Sequence, residues 1–206
     1  PILLIFGSVI GYSCGWSARL RDVLGQRRVS SSIRVGSAPL FATTSSSSNI
    51  PYPRAAVSVA VRCEHENEVY YLLVQRGKDP NQGRWSFPGG KMEIGETAME
   101  GGKRELLEET QFAEQDQLQW HHETIATQDS IMVTKDGAAD YHFLIAICFA
   151  ELKHVKSLPN VKASDDAADA QWWRMTDLVA QGIDVTPGLV ERIDHTEFLY
   201  QREVLL

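Results

Sequence analysis

The stretch Gly89-Gly90-Lys91-Met92-Glu93-Ile94-Gly95-Glu96-Thr97-Ala98-Met99-Glu100-Gly101-Gly102-Lys103-Arg104-Glu105-Leu106-Leu107-Glu108-Glu109-Thr110-Gln111-Phe112 decides how this chain is read. Thr97 followed three residues later by Glu100 is a capping box, and Met99, Gly102 and Leu106 recur at helical spacing, so a helix is predicted from there to about Thr110. Glu105, Glu108 and Glu109 then stand at i, i+3 and i+4, with their carboxylates on one face and within about 6 Å of one another. Such acids repel by a few tenths of a kcal/mol per pair unless a cation sits among them, and carboxylate oxygens suit the hard ions Mg²⁺ and Mn²⁺. Arg104, four residues after Glu100 and four before Glu108, is expected to pair along the helix. Gly89 and Gly90 supply a corner free of side chains, where a carbonyl could face a metal and N–H groups could approach a phosphate.

Taken together, Gly90, Glu96, Arg104-Glu105-Leu106, Glu108-Glu109 and Phe112 resemble the Nudix box G-x5-E-x7-R-E-U-x-E-E-x-G-U at every fixed position but one. The departure is Gln111, which stands where the family has glycine. That glycine ends the helix in a left-handed turn, a conformation that costs a non-glycine residue about 1 kcal/mol. Gly101 and Gly102 stand where alanines are common, which weakens the helix but permits close packing of backbone.

The resemblance implies a Mg²⁺-dependent Nudix hydrolase, with Mn²⁺ as an alternative cofactor, acting on a nucleoside diphosphate linked to another moiety X and releasing a nucleoside monophosphate and phospho-X. By the same resemblance Glu105, Glu108 and Glu109 would hold the metal with the Gly89 carbonyl, while Gly90, Glu96 and Arg104 would brace the loop and helix. A metal-activated water would attack phosphorus in line. Its base would be Glu108 or Glu109, or an acid of the Ala163-Ser164-Asp165-Asp166 loop, with Asp166 or Asp165 as the candidate. Arg76, through its bidentate donors, and Lys91 beside the corner are the candidate substrate-binding cations. Trp85, Phe87, Trp172 and Trp173 could include a partner for a base, although aromatics bordering strands more often belong to a core. His121, His122 and His142 show no ligand spacing.

The segments Gln75 to Lys78 and Trp85 to Gly90, with Asp165-Asp166-Ala167 and Trp172, most resemble the ADP-ribose pyrophosphatase-like branch. Against it, a proline of that branch is missing where Ala126-Thr127-Gln128 stands, and the SQPWPFPxS signature of NADH enzymes is absent. The substrate is left among ADP-ribose, related nucleotide sugars and oxidised nucleoside triphosphates. Rival readings are a catalytically silent module that binds a nucleotide or protein, an RNA-end hydrolase, and an acidic interaction surface.

Around this motif the sequence predicts a mixed α/β (α+β) fold, an α/β/α sandwich with a mixed β-sheet rather than a doubly wound sheet. Ala55 to Val61 and Val69 to Val74 read as a hairpin, Tyr141 to Ala150 as a long strand and Gln171 to Trp173 as a short one. Thr176-Asp177 is expected to cap a helical turn. Thr186-Pro187 is expected to start a C-terminal helix carrying Leu189, Val190, Ile193 and Phe198.

The 206 residues carry a net charge of −7, yet residues 1–54 hold six arginines against one aspartate, so the remainder is acidic and no stable nucleic-acid binding is expected. Cys14, Cys63 and Cys148 lack metal-ligand spacing. Residues 51–206 are expected to form the catalytic domain. Residues 1–50 read as a targeting or disordered extension: Ile2 to Ile10 is apolar but short, and Ser13 to Asn49 is rich in arginine and serine, as organellar presequences of plastids or mitochondria are. Without such targeting a cytoplasmic protein is expected. No transmembrane helix is expected in the domain, and a homodimer is compatible with the sequence.

Overall fold

The computed structural model describes residues 52–113, 117–137, 139–153 and 155–205. The expected extension over residues 1–50 lies outside them, as does Cys14.

Alternation of apolar residues builds the centre of the sheet. Strand β1 (Arg54–His65) turns through Glu66 and Asn67, both at positive φ, into β2 (Glu68–Arg76), with His65 paired to Glu68. Two successive residues at positive φ make the tight turn that matches strand twist, and asparagine tolerates it well. β1 and β2 pair only near this turn, from Arg62 and Tyr71 outward. Beyond it the strands splay, and the chain from Trp85 to Lys91 fills the gap. There β3 (Trp85–Ser86) pairs with β2, β4 (Gly89–Lys91) pairs with β1, and Val59 N–H donates to the Pro88 carbonyl at 2.9 Å. The glycine corner is thereby lodged inside the sheet.

Helix α1 (Ala98–Thr110) begins with the expected capping box: Glu100 N–H donates to Thr97 Oγ1 and Thr97 N–H to Glu100 Oε2. It ends at Gln111, whose φ of 47° and ψ of 30° are left-handed despite the side chain. Two strands follow that the sequence did not announce, β5 (Gln119–Trp120) and β6 (Ala126–Val133). β6 has exposed Ile131, Met132 and Val133 and polar residues facing inward, so its hydrophobic pattern is inverted, and its register comes from pairing with β7 (Ala139–Leu152). β7 runs parallel to β1 over ten residue pairs, while the other named strand pairings, including β8 (Ala167–Arg174) on β2, are antiparallel. The sheet is mixed, as expected.

Two cores flank it. Val57, Val59, Val61, Cys63, Cys148 and Ala150 face Leu106 and Phe112 on the α1 side. Tyr71, Leu73, Ile147 and Phe149 face Leu178, Leu189 and Ile193 on the other, beneath α2 (Met175–Ala180) and α3 (Leu189–Gln201). Each fully buried aliphatic side chain contributes about 1.5–3 kcal/mol. Gly102 makes the α1 contact close, because a Cβ there would lie 3.0 Å from Val59 Cγ2. Cys63 and Cys148 are buried free thiols pushed up to about 11 by burial, hence poor nucleophiles.

Two expectations about helix ends are corrected. α2 starts after Arg174, so Thr176 and Asp177 lie within its first turn, and Asp177 accepts from Arg174 rather than capping. Pro187 precedes α3 instead of opening it, because Gly188 at φ 82° is the N-cap. Phe198 is half exposed, with Arg202 over its ring, and Thr196 is buried on the inner face. Among the described residues no helix is long and apolar enough to cross a membrane.

Candidate functional site

The corner and the helix are built to meet. Gly89 has φ 156°, and a Cβ on it would fall 2.2 Å from the Val57 carbonyl oxygen. A Cβ on Gly90 would fall 2.5 Å from Glu105 Oε1. The missing side chains are thus what lets the Glu105 carboxylate rest on the corner. Gly89 N–H donates to Glu109 Oε2 at 2.8 Å, so the structure ties Gly89 to the helix through its amide.

Arg104 gathers the acids. Its Nε and Nη2 donate to the two oxygens of Glu96 at 3.1 and 2.8 Å, Nη1 donates to Glu105 at 2.9 Å and Glu108 at 3.0 Å, and Nη2 also reaches the Lys91 carbonyl. The expected pairing with Glu100 does not occur, because that carboxylate is consumed by the Thr97 cap. Glu96 takes its place and binds the loop to the helix.

The three helix acids are not equivalent. Glu105 and Glu109 are each 8% exposed, while Glu108 stands at the rim. Burial, opposed by Arg104, pushes the Glu105 carboxyl above its ordinary range. Burial pushes Glu109 up to about 7; the Gly89 amide and Arg76 pull it down, and the charges of Glu105 and Asp165 push it further up. Among the described residues, no three His, Cys, Asp or Glu side chains converge as a ready metal centre, since Arg104 and the Gly89 amide engage these carboxylates.

The loop after Leu158 is stitched to the end of α1. Lys162 N–H donates to the Thr110 carbonyl and Ser164 N–H to the Glu109 carbonyl, which satisfies two carbonyls that a helix end leaves open. Asp166 is engaged in an ion pair with Lys78 at the cleft, and its carbonyl accepts from Gly77 N–H at 2.9 Å. Asp165, left-handed at φ 52°, is the residue whose charge is felt by Glu105 and Glu109. Non-glycine residues held there cost about 1–3 kcal/mol and need surroundings that enforce them, which these hydrogen bonds provide.

Gly89, Gly90, Arg104, the three helix acids and both loop aspartates line one open cleft of about 1810 Å³, shared with Arg76 and Lys91, while Glu96 braces Arg104 from outside its lining. Arg76 is partly committed, as its Nε donates to the Pro80 carbonyl. Of the four aromatics read from the sequence, only Phe87 lines the cleft. Trp85 packs edge-on against Trp173, and Trp172 against Phe112, so these three serve the cores. His142 is paired with Asp129. The sequence reading missed Arg54, Gln128, Tyr141, Phe143 and Arg192, which also line the cleft. Tyr141 and Phe143 alternate along β7 with Ile145 and Ile147, a signal visible in the sequence, whereas Gln128 and Arg192 meet across 64 residues and left none.

A family model of the NUDIX domain matches residues 52–192. A Caenorhabditis elegans protein that carries the name nudix hydrolase 1 is 26% identical over 137 residues, 66% of this chain and 32% of the relative, so the chain spans about a third of that relative's length. Among solved structures, the NUDIX domain of Shewanella oneidensis NrtR complexed with ADP ribose matches with a TM-score of 0.58 at 16% identity, over 75% of this chain and 92% of the other. A Caenorhabditis elegans Ap4A hydrolase binary complex gives 0.56 at 18% identity, over 72% and 98%. A bifunctional NMN adenylyltransferase/ADP ribose pyrophosphatase from Francisella tularensis, complexed with AMP and a Mn ion, gives 0.53 at 22% identity, over 74% and 42%. At these identities the structural likeness establishes the fold, and the glutamate helix, the glycine corner and a family model spanning most of the described residues together place the chain in the NUDIX domain family.

Proposed function

We propose that this domain hydrolyses the diphosphate of a nucleoside diphosphate linked to a second moiety, releasing a nucleoside monophosphate and the phosphorylated moiety, with Mg²⁺ as its cation and Mn²⁺ as a substitute. ADP-ribose and related nucleotide sugars are the substrate class. The reading is carried by one observation: two buried carboxylates, Glu105 and Glu109, abut a side-chain-free corner in a cleft that also presents Arg76 and Lys91.

The residues present fit a hard cation. The donors are all oxygen, Glu109 is a buried acid whose charge is poorly compensated by the protein alone, and Glu105 occupies the cradle that a Cβ on Gly90 would fill. Glu105, Glu108 and Glu109 would hold the ion with the Gly89 carbonyl. Once bound, it would neutralise phosphate oxygens and lower the pKa of a water. Arg104 keeps Glu105 and Glu108 facing the corner, Arg76 and Lys91 draw in the anionic diphosphate, and Glu96 fixes Arg104. For the base, Asp165 replaces Asp166 as the loop candidate beside Glu108 and Glu109, because Asp166 is engaged by Lys78.

The test is product release by the full chain with ADP-ribose, nucleotide sugars, Ap4A, NADH and 8-oxo-dGTP, with and without Mg²⁺, beside Glu109→Gln. A preferred substrate cleaved only with metal and lost in the variant supports the reading. No turnover by folded protein across the panel would leave a nucleotide-binding module.

A further inference from the structure

The face of the sheet beneath α3 carries a second set of groups in the same cleft. Pairing puts Gln128 opposite Ile145, Ser130 opposite Phe143 and Ala126 opposite Ile147, while the parallel neighbour sets Arg54, Ala56 and Ser58 against Phe143, Ile145 and Ile147. Paired residues share a face, so Phe143, Ile145 and Ile147 form an apolar row with small Ala56 and Ser58 on one side. Tyr141 continues the row, its ring 5.6 Å from that of Phe143. A flat floor of this kind suits a stacked base.

Arg192 of α3 stands at its border. Its Nε donates to Gln128 Oε1 at 2.7 Å, and Gln128 Nε2 lies 3.4 Å from the Pro187 carbonyl it donates to. Gly188 makes room, since a Cβ there would lie 3.3 Å from Arg192 Nη2. Among the described residues no carboxylate forms an ion pair with this guanidinium, and Nη1 and Nη2 have no hydrogen-bond partner. An arginine fixed at Nε thus lines the cleft with its terminal donors uncommitted.

Resting on the nucleotide reading above, and narrowing its substrate class from ADP-ribose towards nucleotide sugars that carry guanine, we propose that Arg192, oriented by Gln128, reads the purine edge of the substrate and selects guanine over adenine. Two parallel donors match the adjacent O6 and N7 acceptors of guanine, whereas adenine sets an amino donor beside N7. The apolar floor excludes a phosphate as the intended partner, because a phosphate gains nothing from Phe143 and Ile145 and loses its hydration there. A base gains from both.

The test is calorimetric titration of the full chain with GMP and with AMP, which reads the base subsite without turnover. Wild type should bind GMP about tenfold more tightly, within the range of one bidentate contact. Arg192→Met should bring the two within about twofold by removing that fork, and Arg192→Gln should abolish the preference for GMP because an amide's donor and acceptor match N7 and N6 of adenine instead. Phe143→Ala should weaken both and preserve the ratio. Should Arg192→Met fail to fold, the glutamine variant carries the test alone. Equal binding of GMP and AMP by wild type, no measurable binding of either, or a preference for GMP that survives in Arg192→Gln overturns the proposal. If GMP is preferred while no nucleotide is hydrolysed, the base subsite stands and the hydrolase reading fails.

Discussion

The carboxylate of Glu109 accepts the Gly89 amide proton at 2.8 Å, across 20 residues of sequence. The bond ties the last turn of α1 to the corner lodged between the splayed strands β1 and β2, so the strand corner and the acid helix behave as one rigid part. Glu96, held by Arg104, closes the same loop from its other end.

The two glycines of the corner should fail differently. Gly89→Ala forces a Cβ to 2.2 Å from a backbone oxygen at a positive φ, so it should cost more than about 2 kcal/mol, seen as a lower urea midpoint. Gly90→Ala meets only the movable Glu105 carboxylate. It should leave the midpoint nearly intact and lower metal-dependent turnover.

Glu109 should make the metal-free domain less stable as pH rises. Its folded carboxyl titrates near 7 against 4.5 for the ordinary group, so between those values the folded state binds more protons than the unfolded state, and stability falls through that window. Above pH 7 no further loss arises from this group. Urea midpoints in EDTA should therefore fall by the equivalent of up to about 3 kcal/mol from pH 4.5 to 7.5 from this source, and Glu109→Gln should flatten that slope. Mg²⁺ should stabilise wild type at pH 7.5 and leave Glu109→Gln unchanged.

Asp165→Asn and Asp166→Asn separate the two loop acids. The first should lower kcat with KM little changed, since the charge of Asp165 bears on Glu105 and Glu109; the second should leave kcat and the melting temperature nearly unchanged, because its ion pair with Lys78 is exposed. Equal loss of kcat in both would remove the distinction. Steady-state kinetics beside thermal melts make the comparison.

Arg62 is 3% exposed, donates to Glu151 and Glu197 at 2.9 Å each, and lies 3.9 Å above the Tyr200 ring. Replacing it with Met leaves Glu151, itself 1% exposed, without its guanidinium, so Arg62→Met should destabilise by about 3–5 kcal/mol. Because the cleft is lined from β1 only as far as Ser58, the folded fraction should keep its kcat. Chemical denaturation and active-fraction kinetics read both quantities.

Gln111→Gly should stabilise the domain by about 0.5–1 kcal/mol, because the left-handed φ of 47° is unstrained for glycine. A denaturation midpoint that does not rise would show that the Gln111 side chain compensates for its backbone.

The sequence by itself determined the helix, its cap and the identity of its acids, because spacing along one helix is local: i, i+3 and i+4 fix a face whatever surrounds it. It also determined the hairpin and the buried strand β7, whose apolar runs speak for themselves. Only the tertiary structure decided which acid does what. Glu105 and Glu109 became buried and Glu108 stayed at the rim because the corner packs on one side of that face, and Arg104 turned from Glu100 to Glu96 because the cap had already claimed Glu100. Asp165 and Asp166 are indistinguishable neighbours in sequence, and hydrogen bonds from Gly77 and Ser164, with the Lys78 ion pair, set them apart. β6 and the pair Gln128–Arg192 were illegible for the same reason: they are specified by partners distant along the chain, which no local pattern records.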